Sequence, residues 1–349
     1  MLGREVDVEE ALNNTEKVMK SERTLVDKHG KYAPIYIAPT GNVIDAIKVH
    51  DDINVKRALT VGSQGAFAYE IAIKTDVEVI DCFDINILQY MFFELFNAGL
   101  MYLEHHEFIK FFTAIKHPVM KIQIFNDMFD EDVFYDIIAF MDGPAQVYWS
   151  KMFMKVSDFR ELFKTNLFLT AYPLNYEFLS SFASLYKPYE YEILKAKLLS
   201  GKVKINYHIC DLGDIHKEFA GNVYELMVFG NILQYYKSIP KFDNVVMVNK
   251  AVKENWAPML SEGGELELCY GFETVTSGLI QMLGIDDPAL NPLGMPLSLA
   301  KMINDDVIKD NFITQFYKRY GDNYSIDFIG QVEREHPNSK NVILSYKKR

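Results

Sequence analysis

A strand, a glycine turn and a helix follow one another in ALTVGSQGAFAYEIAIK, residues 58–74, and this unit constrains the fold most. The apolar run before Gly62 predicts a buried strand, and VEVIDCFD, residues 77–84, predicts a second one. Two such strands with one helix between them form a βαβ unit, whose strands are parallel. The sequence therefore predicts an α/β fold.

Five later segments predict further strands of the same sheet. Apolar runs recur at residues 204–210, 223–229 and 264–272, whereas YSIDFIGQV and NVILSYKK, residues 324–332 and 341–348, flank a turn-rich connection. The last two segments predict a hairpin, so one of its strands must run antiparallel to the others. We expect a Rossmann-like sheet of seven strands with a closing antiparallel hairpin.

A long interval separates the second and third predicted strands. Its spacing of apolar residues predicts mostly helices, at residues 86–115, 130–141, 157–169, 175–186 and 189–201. We interpret residues 87–200 as a helical insertion that covers the carboxyl ends of the sheet as a pocket or lid. The remaining chain divides into amino-terminal helices and a loop, residues 1–50, and a ligand-binding domain, residues 51–86 and 201–349.

Composition excludes several classes of function. The formal net charge of −12 argues against a nucleic-acid partner, because such proteins concentrate Lys and Arg on one face. The three cysteines, Cys82, Cys210 and Cys269, are scattered among predicted strands and predict neither a disulfide nor a metal site. No apolar run suits a signal peptide or a membrane span, so we expect a cytoplasmic protein without an integral membrane segment.

The carboxyl ends of parallel strands are where ligands bind in open α/β sheets, so the residues there indicate the ligand. The first strand ends in Gly62, Ser63, Gln64 and Gly65, which lack both the full dinucleotide fingerprint and the lysine of a phosphate loop. Glycines at this point allow the backbone to turn sharply and to approach a ligand. A tight turn between strand and helix, with no ligand, is the alternative.

The second strand ends in Asp84, Ile85 and Asn86. An acidic side chain here commonly accepts hydrogen bonds from both hydroxyl groups of a ribose. Capping of the following helix by Asp84 is the other interpretation. Together with the glycine turn, the acid favours a nucleoside site.

The third and fourth strand ends supply further polar groups. Asp211 and Leu212 have the chemistry to hold an adenine, through its amino group and its ring face. After the fourth strand come residues that we expect near the reactive end of the ligand, with ordinary packing as the alternative for the tyrosines: Gly230, Asn231, Gln234, Tyr235 and Tyr236.

This order of features resembles the seven-stranded, class I methyltransferase fold of S-adenosylmethionine-dependent transferases. The sequence from the glycine turn to the end of the first predicted helix of the insertion also resembles a signature of one transferase family. This family comprises the S-adenosylmethionine:diacylglycerol 3-amino-3-carboxypropyl transferases of betaine-lipid synthesis and their bacterial relatives. The resemblance covers residues 58–112 and 190–272, and the matching positions are Gly62, Ser63, Asp84, Asn86, Gln89, Glu94, Leu95, Glu107, Phe108 and Phe111.

Two positions depart from the family pattern and bear on the acceptor. Ile87 stands where the family has proline, and His105, followed by His106, stands where the family has tyrosine. His105 is therefore a candidate acceptor contact, with a surface histidine pair as the alternative. Six phenylalanines of the insertion suit either a lipid-like acceptor or an ordinary core: Phe92, Phe93, Phe96, Phe108, Phe111 and Phe112.

The resemblance implies a transferase that uses S-adenosylmethionine as co-substrate and needs no metal. Residues 62–65 would hold the methionine end, Asp84 the ribose and Asp211 the adenine, while Asn231 and Tyr235 would act beside the sulfonium. We favour transfer of the 3-amino-3-carboxypropyl group to a small or lipid-like acceptor. Methyl transfer and binding of S-adenosylmethionine without catalysis are the alternatives.

Overall fold

The computed structural model describes eleven stretches of the chain. They are residues 6–20, 30–39, 43–47, 54–116, 123–124, 128–156, 159–169, 174–230, 251–270, 324–333 and 340–348. Compactness divides the chain into two units, the first made of Met1–Ile47 with Val61–Asp211 and the second of Lys48–Thr60 with Leu212–Arg349.

Ten α-helices form in the described residues. They are α1 (Val8–Lys20), α2 (Val43–Ile47), α3 (Ala66–Lys74), α4 (Ile87–Tyr102), α5 (His105–Phe112), α6 (Glu131–Ile137), α7 (Gly143–Lys155), α8 (Tyr176–Phe182), α9 (Pro188–Leu199) and α10 (Ile215–Glu218). Shorter helical turns of the 3₁₀ type occupy Ile138–Phe140, Phe159–Lys164, Ser184–Tyr186 and Ala257–Met259, and Val252–Trp256 is a π-helix.

Eleven strands form in the same residues. They are β1 (Ile35–Tyr36), β2 (Arg57–Val61), β3 (Val79–Asp84), β4 (Ile115–Lys116), β5 (Gln123–Ile124), β6 (Phe168–Leu169), β7 (Lys204–Ile209), β8 (Tyr224–Gly230), β9 (Leu260–Tyr270), β10 (Tyr324–Glu333) and β11 (Lys340–Lys348).

The first unit pairs β3 with β7 in parallel, from Val79 opposite Lys204 to Asp84 opposite Ile209. Two small pairs complete its strands: β1 with β6 in parallel, and β4 with β5 antiparallel. Because β3 and β7 run in the same direction, the residues that follow both strands emerge at one edge. That edge holds the candidate site.

The second unit contains strands in the order β10, β11, β9, β8 and β2. Strands β2, β8 and β9 are parallel, whereas β11 is antiparallel to both of its neighbours, as the predicted closing hairpin requires. The predicted α/β class with mostly parallel strand pairing is thus confirmed. The single sheet of seven strands and the three-part domain division stay predictions.

Helix α4 is the central element of the first unit. Its sequence is apolar almost all round, and twelve of its residues are buried, which is typical of a helix covered on every side. The six phenylalanines considered above as contacts for a lipid-like acceptor are at most 4% exposed. Several of them pack against one another, and the ring centroids of Phe96 and Phe112 lie 4.7 Å apart. These phenylalanines are core residues, so they give no support to a lipid-like acceptor.

The helices of residues 87–200 differ from the prediction at several places. The segment predicted at residues 86–115 is divided into α4 and α5, and its last residue, Ile115, belongs to β4. Residues 157–169 do not form an α-helix where they are described: Phe159–Lys164 is a 3₁₀ turn and Phe168–Leu169 is strand β6. Helix α7 was not predicted, because its Gly143-Pro144 start reads as a turn. Proline suits the first turn of a helix, and the Asp142 carboxylate accepts from the Ala145 N–H at 3.0 Å and caps it.

Candidate functional site

The turn after β2 is fixed by backbone hydrogen bonds to its surroundings. The Gly62 N–H donates to the Phe83 carbonyl at 2.8 Å, and the Gly65 N–H donates to the Gly62 carbonyl at 2.7 Å. Ser63 and Gly65 have φ values of 41° and 93°, in the left-handed region. The turn therefore lies against the end of β3 and leads directly into α3.

Both glycines of the turn are closely approached by aromatic rings. A Cβ atom at Gly62 would lie 2.5 Å from the Tyr207 ring, and one at Gly65 would lie 2.5 Å from the Tyr69 ring. The Tyr207 hydroxyl group also donates to the Ser63 carbonyl at 3.4 Å. Ring packing thus explains why these positions are glycine, independently of any ligand.

Gln64 carries a buried polar group without a partner. Its side chain is 1% exposed, and its Oε1 accepts from the Ser63 hydroxyl at 2.6 Å, but Nε2 has no hydrogen-bond partner among the described residues. A buried amide donor left without an acceptor costs about 1–3 kcal/mol. Such an atom calls for an explanation, and a bound ligand is one.

Asp84 ends β3 beside this turn. One carboxylate oxygen accepts from the Ser63 N–H at 3.2 Å, and the other accepts from the Asn86 N–H at 3.0 Å. Burial raises the pKa of Asp84 to about 6, although the N–H groups of Asn86, Ser63 and Ile85 favour the charged form. A carboxylate accepts about four hydrogen bonds, so the N–H groups of the described residues leave capacity for a further donor.

Asn86 caps α4 and holds the chain segment that precedes β1. Its Oδ1 accepts from the Leu88 N–H at 3.1 Å and from the Ala33 N–H at 3.2 Å. Its Nδ2 donates to the carbonyls of Ala33 and Pro34 at 3.0 and 3.3 Å. The side chain is therefore fully engaged within the protein, and half-buried Ile85 precedes it.

Asp211 lies at the same edge as Asp84. The Cys210 N–H donates to the Asp84 carbonyl at 2.9 Å, which places half-buried Asp211 one residue beyond the last contact between β3 and β7. Leu212 is buried and begins the second unit, where Gly230 ends β8 opposite Cys269. Four further predicted residues lie outside the described residues, and their roles stay predictions: Asn231, Gln234, Tyr235 and Tyr236.

His105 has a structural partner in the first unit. Its Nε2 is hydrogen-bonded to the Tyr186 carbonyl at 2.9 Å, and its ring packs edge-on against Tyr191 at 5.2 Å. These contacts join α5 to the Ser184–Tyr186 turn and to α9. A role in acceptor binding stays a prediction.

A second group of polar side chains lies next to Tyr207. The sequence did not indicate that these residues come together. The Tyr90 ring lies 5.5 Å from the Tyr207 ring, and the Tyr90 hydroxyl donates to the Asp142 carboxylate. The Asp142 N–H in turn donates to Glu94 Oε2 at 3.3 Å. Burial, and then the charge of Asp142, raise the pKa of Glu94 to about 7.

The sequence contained only part of the signal for this group. Glu94 is one of the positions that match the transferase signature, but Tyr90, Asp142 and Tyr207 have no shared motif. They are brought together by the packing of α4, α7 and β7, which no local pattern predicts. Within the described residues, no group of three or more His, Cys, Asp or Glu side chains could hold a metal ion.

Comparisons with known proteins leave the family open. No protein-family model matches the chain, and no curated protein matches it either. The betaine-lipid-type family is therefore not confirmed. In the described part of the chain, no helix has the length and apolar character that crossing a membrane requires.

Three solved structures resemble the chain weakly. The N-methyltransferase NodS from Bradyrhizobium japonicum, solved with S-adenosyl-L-homocysteine, is 8% identical with a TM-score of 0.33, over 97% of this chain and 98% of that one. An O-methyltransferase family protein from Burkholderia thailandensis is 10% identical with a TM-score of 0.32, over 88% of this chain and 54% of that one. The rRNA methyltransferase aviRa from Streptomyces viridochromogenes is 7% identical with a TM-score of 0.30, over 97% and 85%. Scores this low carry no argument about function.

Proposed function

We propose that the protein is an S-adenosylmethionine-dependent transferase whose nucleoside site is formed by the turn at residues 62–65 and by Asp84. The observation that carries this proposal is the position of Asp84, which ends a parallel strand and is held against the glycine turn by the Ser63 N–H at 3.2 Å. A carboxylate in this position suits the hydroxyl groups of a ribose.

The methionine end of the ligand fits the other side of the turn. Helix α3 has nine residues, and its N-cap residue is Gly65, which has no side chain to cap the first N–H groups of the helix. The first N–H groups of a helix and its positive dipole end favour a carboxylate. The ligand carboxylate would also give buried Gln64 Nε2 an acceptor, which it lacks among the described residues. No phosphate is involved, which agrees with the missing phosphate-loop lysine.

The adenine end belongs near Asp211 in this proposal. Asp211 emerges at the strand edge that carries Asp84, so one ligand would span the two carboxylates. A carboxylate oxygen accepts a hydrogen bond from the amino group of adenine. Leu212 would contact the adenine ring, as the sequence predicts.

We favour transfer of the 3-amino-3-carboxypropyl group. In that reaction a nucleophilic atom of the acceptor attacks the methionine-arm carbon next to sulfur. The carbon–sulfur bond breaks, methylthioadenosine leaves with the electron pair, and the acceptor loses a proton. Attack on the methyl carbon instead would leave S-adenosylhomocysteine. In both cases the enzyme aligns the nucleophile and excludes water, and it needs no covalent intermediate.

The acceptor is a small molecule or a lipid-like molecule in this proposal. The formal net charge of −12 permits a basic or zwitterionic acceptor, such as an amine. Asn231 and Tyr235 are the proposed groups beside the sulfonium, and Gln234, Tyr236 and His105 are the proposed acceptor contacts.

Identification of the product nucleoside tests the proposal. The protein is incubated with S-adenosylmethionine and, in turn, a diamine or dispersed diacylglycerol, and nucleosides are measured by mass spectrometry. Methylthioadenosine that depends on both protein and acceptor supports aminocarboxypropyl transfer, and S-adenosylhomocysteine supports methyl transfer. Binding of S-adenosylmethionine without either product supports the non-catalytic alternative. Samples without protein correct for spontaneous breakdown of S-adenosylmethionine.

A further inference from the structure

The segment at residues 31–36, here called the strap, is fastened to the first turn of α4. The Ile87 N–H donates to the Lys31 carbonyl at 2.9 Å, and Asn86 makes three hydrogen bonds to the backbone of Ala33 and Pro34. Gln89, which is 1% exposed, accepts from the Tyr36 N–H at 2.8 Å and donates to the Tyr36 carbonyl at 2.9 Å. The Asn86 side chain therefore holds the middle of the strap, and the Gln89 side chain holds its last residue.

The strap is also held from its other side. The Ile35 N–H donates to the Leu167 carbonyl at 2.7 Å, and β1 pairs with β6. Ala33 and Ile35 are 2% and 0% exposed. A backbone segment buried between two elements needs all its polar groups paired, and the amides of Asn86 and Gln89 supply partners that no regular sheet provides.

The strap is connected to the candidate site through two successive hydrogen-bonded contacts. Asp84 Oδ1 accepts from the Asn86 N–H at 3.0 Å, and the side chain of the same asparagine bonds to Ala33 and Pro34. A change in the position of the strap would therefore move the backbone that orients Asp84. Hydrogen bonds through Asn86 thus link the amino-terminal part of the chain to the Asp84 carboxylate.

We propose that Asn86 and Gln89 are positioning residues for the ligand site: they fix the strap against α4 and thereby hold Asp84 in the orientation that binds the ribose. This inference rests on the proposed function. It assigns to both amides a task that requires no contact with the ligand, since their side chains are already engaged by the protein. Ligand binding to Asp84 would in turn slow the opening of the strap.

Two neutral variants separate the strap contacts from other effects. Gln89→Met keeps the side-chain length and removes both hydrogen bonds to Tyr36. Gln146→Met makes the same change at a half-buried position of α7 and is its matched control, since no hydrogen bond joins that side chain to the strap residues described. Asn86→Ser keeps a capping hydroxyl for α4 and removes the bonds to the strap. Asn175→Ser is its control, because Asn175 caps α8 through the Phe178 N–H at 3.0 Å and is also 6% exposed.

The experiment combines calorimetric titration with S-adenosylmethionine and hydrogen exchange of the strap amides. We expect Gln89→Met and Asn86→Ser to weaken binding by about tenfold each, because they remove two and three hydrogen bonds that support the site. The Ala33 and Tyr36 amides should exchange faster in these variants and more slowly in the wild-type complex. The two controls should bind as the wild type does.

Three results would overturn the inference, and they are distinguishable from failure of the proposed function. Variants whose strap amides exchange faster while binding is unchanged would show that the strap does not position the site. Equal weakening by the controls would show a general loss of stability. Unchanged exchange in the variants would show that the amides do not hold the strap. If the wild type binds no S-adenosylmethionine, the proposed function fails, while exchange in the free protein still tests the fastening.

Discussion

At the scale of single residues, the glycine turn shows how a sequence signal can have two causes. Gly65 needs its positive φ of 93°, whereas Gly62 makes room for the Tyr207 ring. Neither requirement depends on a ligand, so the glycines alone do not indicate one. Gln64 lies between them, and its Nε2 has no hydrogen-bond partner in the described part of the chain, which a bound ligand would explain.

Gly62→Ala tests the ring packing. Because the new Cβ would lie 2.5 Å from the Tyr207 ring, the ring or the turn must shift, and we expect the free energy of unfolding to fall by about 1–3 kcal/mol. Gly143→Ala is the control, since nothing lies within 4 Å of a Cβ there. Denaturant unfolding measures both, and equal stability of the two variants would contradict the packing account.

Glu94→Gln tests the buried carboxylate. Burial raises the pKa of Glu94 from 4.5 to about 7, so the Glu94 carboxyl group holds its proton more tightly in the folded protein than in the unfolded chain. The stabilisation is fully present below pH 4.5 and is lost as the pH rises through 7. The wild type should therefore lose roughly 1–3 kcal/mol relative to Glu94→Gln between pH 4.5 and 8.

Unfolding at several pH values provides the measurement for Glu94. Glu192→Gln, at an exposed position of α9, is the matched control and should show no such difference. A constant stability gap between the wild type and Glu94→Gln across this pH range would show that Glu94 does not titrate as described.

The same scale shows what the sequence could predict about the site. The position of Asp84 at a strand end was predicted from the apolar run before it, whereas its role in ligand binding stays a prediction. The engagement of Asn86 by the strap could not be predicted, since its partners Ala33 and Pro34 lie more than fifty positions away along the chain. The Tyr207 contact with the turn was missed for the same reason.

At the scale of elements, α9 stabilises the ends of two other helices. Lys197 Nζ donates to the carbonyls of Ala72 and Thr75 at 2.7 and 2.9 Å, at the end of α3. Lys195 Nζ donates to the Leu103 carbonyl at 2.8 Å, at the end of α4. A cation at a helix carboxyl end satisfies free carbonyls and opposes the helix dipole.

Lys197→Met removes one of these caps and keeps the apolar stem. We expect a loss of about 1–2 kcal/mol in the free energy of unfolding, since two charge-assisted hydrogen bonds disappear. Lys202→Met, at an exposed position beyond α9, serves as the comparison and should change stability little. Thermal unfolding measures both, and a Lys197→Met variant as stable as the Lys202→Met variant would contradict the capping role.

Elements with a strong local pattern were the ones the sequence predicted. Strands such as β3 and β8 have runs of β-branched and apolar residues, and α4 has an unbroken apolar helix pattern. Helix α7 was missed because its start signal lies in Asp142 and Pro144, which equally suit a turn. The Phe159–Lys164 turn was overpredicted as an α-helix, because apolar spacing alone does not distinguish a short 3₁₀ turn.

At the scale of the whole molecule, each of the two compact units is formed by two separate stretches of the sequence. The first unit combines the glycine turn, Asp84, Asp211 and the helices from α4 to α9. The order of β2, α3, β3, β7, β8 and β9 along the chain could be predicted from the sequence, whereas α7 and β6 were not predicted. The grouping of elements into units depends on tertiary packing, which local patterns do not contain.

Calorimetric titration with S-adenosylmethionine, for the wild type and Asp84→Asn, tests the central claim most directly. We predict that the wild type binds at pH 7.5 and binds about tenfold more weakly at pH 5. Burial raises the pKa of Asp84 to about 6, so its carboxylate is mostly protonated at pH 5. Asp84→Asn should bind weakly at both pH values. Absence of binding by the wild type, or binding by Asp84→Asn as tight as that of the wild type, would contradict a nucleoside site at this carboxylate.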